Sequence, residues 1–167
     1  MKTFVFSFFL SFSILISFGQ EKTKKHIKEE QKLAKQKEVE ALIDSKEFEF
    51  VGDRAYPQGG AMIDLTTNSN YFRLKNDSIH SEMPFFGRAF SGVAYGGGGL
   101  NFKGPVKKYS IEKSKKKYVI KANVRGQLDS YSILLTVFFD GGASLNINSN
   151  NRDSINYSGV IVELKKI

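Results

Sequence analysis

The residues of this chain that are able to do chemistry are few and scattered. Among its 167 residues there is no cysteine, and His26 and His80 are the whole supply of imidazole. Without a thiol there is no disulfide framework, thiolate metal site, iron–sulfur cluster or cysteine nucleophile. His80 lies in Asp77-Ser78-Ile79-His80-Ser81-Glu82, which has neither a nucleophile elbow nor the spacing of a catalytic triad. Asp64, Asp77, Asp129, Asp140 and Asp153 mostly fall in or near turn signals, so no carboxylate pair can be nominated for glycoside hydrolysis. Asn146, Asn148, Asn150, Asn151 and Asp153 faintly resemble a calcium loop, but the required glycine and terminal glutamate are missing. No catalytic residue, metal site or cofactor is expected, and the chain reads as a non-enzyme.

Two stretches remain as candidate binding sites. The first runs Met83-Pro84-Phe85-Phe86-Gly87-Arg88-Ala89-Phe90 and continues through Tyr95 and the glycines 96–99 to Leu100-Asn101-Phe102. A phosphate cradle needs a strand before the glycines and a helix after them. Here a strand and then a turn follow, so a nucleotide loop is not expected. Two readings stand. The glycines allow a sharp bend where a sheet curls, covered by Phe86, Tyr95 or Phe102. Alternatively, those aromatics line a ligand mouth. Arg88 either makes a structural ion pair or aromatic stack, or grips an anionic group inside that mouth.

The second stretch is basic. The formal net charge is +8, and residues 103–121 hold eight lysines against one acid, Glu112. Lys113, Lys115, Lys116 and Lys117 mark a hairpin tip. They serve either as a solvated turn that discourages edge pairing or as a contact for anionic lipid headgroups or an acidic partner. Nucleic acid is not expected, because the chain reads as exported and the patch lacks interleaved arginine.

Three segments position these residues. Met1-Lys2-Thr3 and the apolar run 4–18, with Ser17-Phe18-Gly19 placing small residues at the −3 and −1 positions, have the form of a signal peptide over residues 1–19. The run is shorter than the roughly 20 apolar residues that span a bilayer. Cleavage after Gly19 is therefore expected rather than anchoring, with no later transmembrane span. No cysteine is present to carry a lipid. The protein is expected to be exported, periplasmic or secreted, and not lipidated.

Residues 20–47 form a charged segment rich in Glu, Lys, Gln and Ala, with high helix propensity. Val39, Leu42 and Ile43 share one face, so its second half is able to dock while its first half stays solvated. From residue 48 to 167 the pattern changes to period two. Tyr118, Ile120, Ala122 and Val124 alternate with Val119, Lys121, Asn123 and Arg125, and residues 131–139 read as a central strand. About eleven short strands are expected, among them 48–51, 88–94, 99–102 and 107–112. The fold class is mainly β: an antiparallel meander curled into a barrel-like or two-layer sheet, preceded by one N-terminal α-helix.

The two segments "Pro-aromatic-aromatic-Gly-Arg-Ala" (Pro84 to Ala89) and "Gly-Gly-Leu-x-Phe" (Gly98 to Phe102), in this order, resemble the exported bacterial family domain of unknown function 4251. The resemblance covers about residues 48–162. It implies architecture and compartment, and carries no catalytic residues.

The expected function is a non-enzymatic exported β domain. It would bind a small apolar or anionic ligand through Arg88, Phe86, Tyr95 and Phe102, or the anionic envelope surface through Lys113 and Lys115–Lys117. The alternative is a structural or protein-interaction module joining an envelope assembly.

Overall fold

The protein is described by a computed structural model covering residues 2–90, 98–127 and 129–164, with side chains from residue 24 onward. One helix, α1 (Lys2–Ser45), precedes nine strands. These are β1 (Phe48–Pro57), β2 (Ile63–Asp64), β3 (Tyr71–Lys75), β4 (Ser78–Met83), β5 (Leu100–Lys113), β6 (Lys117–Arg125), β7 (Ser130–Phe138), β8 (Gly142–Ser149) and β9 (Ile155–Val162). All pairings are antiparallel and run β1-β3-β4-β5-β6-β7-β8-β9, with β9 returning to β1. The meander thus closes into a barrel of eight strands, and β2 lies as an extra strand beside the second half of β1.

Alternation along each strand sends one set of side chains inward. In β6, Tyr118, Ile120, Ala122 and Val124 are buried; in β7 the buried set is Tyr131, Ile133, Leu135 and Val137. β6 matches the period-two pattern of its sequence, whereas β7, whose sequence is apolar on both faces, turns Leu134 and Phe138 outward with 40% and 43% exposure. Phe48, Phe50, Phe72, Leu145, Ile147 and Tyr157 complete the filling, so the barrel axis is a packed core. Val39, Leu42 and Ile43 of α1 join that core and close one end of the barrel, while residues 24–34 of the same helix are exposed. The helix end of the barrel also carries the β3–β4, β5–β6 and β7–β8 turns, which Lys46, Glu40 and Lys35 respectively touch. The loops at the opposite end connect β1 to β3, β4 to β5, β6 to β7 and β8 to β9.

Nine strands replace the expected eleven, for identifiable reasons. Segments 99–102 and 107–112, expected as separate strands, are one strand, β5, running through Gly104-Pro105. Its first half pairs with β4 and its second half with β6, and the register shifts between Val106 and Lys108. A Cβ on Gly104 would fall inside the carbonyl oxygen of Arg125, so glycine permits a barrel corner where turn chemistry suggested a stop. No strand forms over the first part of 88–94; a single bridge joins Ala89 to Arg152, and residues 91–97 lie outside the described residues. β1 is ten residues long rather than four, because it feeds three partners: β3, β9 and β2.

The closing seam has its own chemistry. The β1–β9 register shifts between Gly52 and Arg54, with Gly52 opposite Gly159. Asn70, which is buried, supplies Gly52 with substitute ladder bonds: its side-chain oxygen accepts from Gly52 N–H at 2.8 Å and its amide donates to Gly52 O at 3.0 Å. Ser158 Oγ donates to Asp53 Oδ1 across the bulge at 2.6 Å. A Cβ on Gly159 would overlap the Val51 carbonyl and the Gly52 backbone. Gly159→Ala is therefore expected to cost about 3 kcal/mol, the upper part of the usual range for overpacking, because the atoms it meets are backbone. Urea midpoints at unchanged m-value measure this loss, and an unchanged midpoint would show that the seam tolerates a side chain.

Candidate anionic-surface site

The aromatic and glycine segments meet at the loop end of the barrel. Residues 84–88 are irregular, and they are fixed from outside themselves. Tyr157 Oη donates to Pro84 O at 2.7 Å, Arg88 N–H to Asp153 Oδ2 at 3.0 Å, and Asp153 N–H to Arg88 O at 3.0 Å. Arg152 ties the two segments together. Its Nη1 donates to the carbonyls of Gly98 and Gly99 at 3.0 and 3.3 Å, and its guanidinium sits 5.1 Å from the centre of the Phe85 ring. Gly99 must be glycine, since a Cβ there would overlap the Met83 carbonyl.

The four residues first nominated for a ligand do not share one environment. Phe102 is 7% exposed and stacks on Tyr131 with ring centres 3.8 Å apart, inside the core. Phe86 is 40% exposed, and Arg88, on a loop rather than a strand, is exposed as well. Tyr95 lies outside the described residues. Arg152 was missed by sequence reasoning, because it sits in an Asn-rich turn where nothing marks it as a partner of glycines more than fifty positions away.

His80 lies on the outer wall, in a row of polar side chains crossing β1, β3 and β4. Tyr71 Oη donates to Glu82 Oε1 at 2.5 Å and approaches His80 Nε2 at 3.3 Å, and its ring meets the imidazole edge-on. Arg73 grips Glu49 with Nε at 2.9 Å and Nη2 at 2.5 Å, and covers the Tyr71 ring at 4.6 Å. Arg88 is not part of this cluster. Among the described residues there is no group of three or more side chains placed to hold a metal ion.

The lysines converge at the helix end. Lys113 is paired with Glu40 of α1 and lies 5.4 Å from the centre of the Tyr118 ring. That hydrogen bond holds the Glu40 carboxyl below its ordinary value, and Glu40 in turn holds the Lys113 ammonium above its own. The pair clamps the helix to the β5–β6 hairpin and takes Lys113 out of the free basic set. Lys115 and Lys116 are exposed at the tip, while Lys117 is half-buried and its carbonyl closes the turn by accepting from Ser114. Lys116 faces the helix across a groove of about 720 Å³ lined also by Lys28, Lys32, Lys35, Phe138 and Phe139. Asp140 is the one acid among its described lining residues, and its carboxylate accepts from Gly142 N–H at 3.0 Å. The basic character of this end thus comes from two elements far apart in sequence. Among the described residues no helix is long and apolar enough to cross a membrane.

Comparison with known proteins places the chain by fold. The family described as Domain of unknown function (DUF4251) matches residues 30–161. A crystal structure of a DUF4251 family protein from Bacteroides eggerthii DSM 20697 superposes with a TM-score of 0.61 at 20% identity, over 78% of this chain and 88% of that one. No curated protein matches.

Tyrosine hydroxyls give the barrel a predictable response to alkali. Burial, aided by the Glu82 carboxylate, pushes Tyr71 up to about 12, and burial pushes Tyr109 to about 12; Tyr157 is raised further in the same direction. A raised pKa means that the folded chain keeps a proton which the unfolded chain releases from about pH 10 upward. Stability is therefore expected to be insensitive to these groups below pH 10 and to fall as pH rises from 10 to 12. Thermal midpoints measured across that range check it, and the fall should be shallower in Tyr71→Phe than in the unchanged chain.

Proposed function

We propose that this chain, which belongs to the DUF4251 family, is an exported, non-enzymatic β-barrel module that docks on an anionic lipid surface with the helix end of its barrel. One observation carries the reading. Lys116 of the β5–β6 hairpin, exposed like its neighbour Lys115, lines one groove with Lys28, Lys32 and Lys35 of α1, four lysines against the single described acid Asp140. Like charges held in one place by a rigid scaffold raise the local potential, and exposed ammonium groups remain hydrated until a counter-surface approaches. Each lysine near an anionic bilayer contributes about 1 kcal/mol, and the effect decays within a Debye length of about 8 Å at physiological salt.

Export rests on the leader at residues 1–19. Intact mass of protein recovered outside the cytoplasm should begin at Gln20. A recovered chain that still carries the leader would overturn cleavage.

Docking is tested by flotation with vesicles of phosphatidylcholine with and without phosphatidylglycerol. The protein should float with anionic vesicles only, and lose binding as salt rises to 1 M. Lys115→Ser with Lys116→Ser should partition about thirtyfold more weakly, the equivalent of two surface lysines. Equal flotation of both proteins, or of either on neutral vesicles, would remove the reading. Recovery of one stoichiometric protein partner by cross-linking, without flotation, would favour an envelope assembly instead.

A further inference from the structure

The inward face of α1 changes character at the point where the helix leaves the barrel. Lys28, Lys32, Lys35, Val39, Leu42 and Ile43 follow one another at intervals of four, three, four, three and one, so they form a single stripe. Over the barrel end the stripe is apolar and buried. One turn further out it becomes lysine, and these lysines line the groove rather than the opposite, fully solvated face of the helix. Lys35 is already engaged: its ammonium pairs with Glu38 at 2.8 Å, and its stem lies against Gly141 in the β7–β8 turn. Lys28, Lys32 and Lys116 are left as cations around the groove.

The facing wall is aromatic. Phe138 is 43% exposed, and Phe139 is partly buried with its ring tilted against Tyr118 at 5.4 Å. A solvated basic hairpin does not need this wall, and an apolar cover would not need the lysines. Together, ammonium groups on one side and phenyl faces on the other match a molecule with a single anionic head and an apolar body. The volume of about 720 Å³ falls within the usual range for small-molecule sites.

We propose that the groove between the overhang of α1 and the β7–β8 turn seats the alkyl chain of a long-chain anion. Phe138 and Phe139 lie under the chain, and Lys28, Lys32 and Lys116 surround its head group. This rests on the surface-docking reading, since a bilayer is the natural source of such a molecule. The lysines act as point charges without the fork of an arginine, so carboxylate and phosphate heads share the chemistry.

The test is calorimetric titration of the exported protein with dodecanoate and with dodecyl phosphate, each below its micelle concentration, and with butyrate. At least one dodecyl anion should bind saturably at one site, and the relative affinities of the two identify the preferred head. Butyrate should bind at least about a hundredfold more weakly, because most of the apolar contact is gone. Phe138→Ser changes an exposed side chain outside the core and should weaken dodecyl binding about tenfold while leaving vesicle flotation intact. Lys28→Gln with Lys32→Gln, on the solvated overhang, should weaken both. Absence of saturable dodecyl binding, or binding unaffected by Phe138→Ser, would overturn the groove while leaving surface docking standing. Phe138-dependent binding without any flotation would do the reverse.

Discussion

The architecture depends on whether β1 and β9 are able to come together. An antiparallel meander of this length has two raw edges, and closure is the arrangement that removes both. Strands in a small barrel are strongly bent, and the first and last must meet while each still carries the twist of its neighbours. Here the backbones approach so closely that a side chain on Gly159 would occupy the space of the Val51 carbonyl. Two glycines opposite one another, a register shift beside them, and an asparagine side chain standing in for a missing ladder partner solve one steric problem together. Neither glycine is marked by a turn motif, because neither is in a turn.

Closure decides where chemistry is able to occur. A barrel of eight strands has an interior just wide enough for side chains to fill, and Phe48, Phe50, Phe72, Leu145 and Tyr157 fill this one. The polar side chains are consequently displaced to the outer wall and the two ends. At the loop end, Arg152 is consumed in holding glycine carbonyls and stacking near Phe85, and Phe102 is consumed in the core. The outer row of Glu49, Arg73, Tyr71, His80 and Glu82 satisfies itself through mutual contacts. The groove beside the helix differs in kind: its lining holds Lys28, Lys32, Lys35 and Lys116 against the single described acid Asp140.

The period-two signal was legible wherever a strand has one buried face and one wet face, as in β6 with Tyr118, Ile120, Ala122 and Val124 inward. The docking face of the helix was legible too, since Val39, Leu42 and Ile43 cluster on one face of a segment dominated by charge and amide, whereas Ile27 and Leu33 stand apart and are exposed. What sequence reasoning misjudged was where a glycine bends a strand and where it ends one. Gly104-Pro105 has the composition of a turn, yet β5 continues through it because a corner of a closed barrel needs the same freedom. The role of Arg152, and the pairing of Lys113 with Glu40, are set by contacts between residues more than fifty positions apart, which no local pattern encodes.

That last pairing reshapes the basic end. Taken as a linear run, Lys113 to Lys117 looks like one patch of equivalent charges, with the helix as a separate and nearly neutral element. In the folded chain Glu40 neutralises Lys113 and draws the hairpin against α1, so the helix contributes an acid where the two elements touch and lysines where they part. Beside the clamp that removes one cation from the tip, Lys116 shares one groove with Lys28, Lys32 and Phe138. Burial of Val39, Leu42 and Ile43 holds the helix on the barrel end, and with it the lysines of α1 that line the groove.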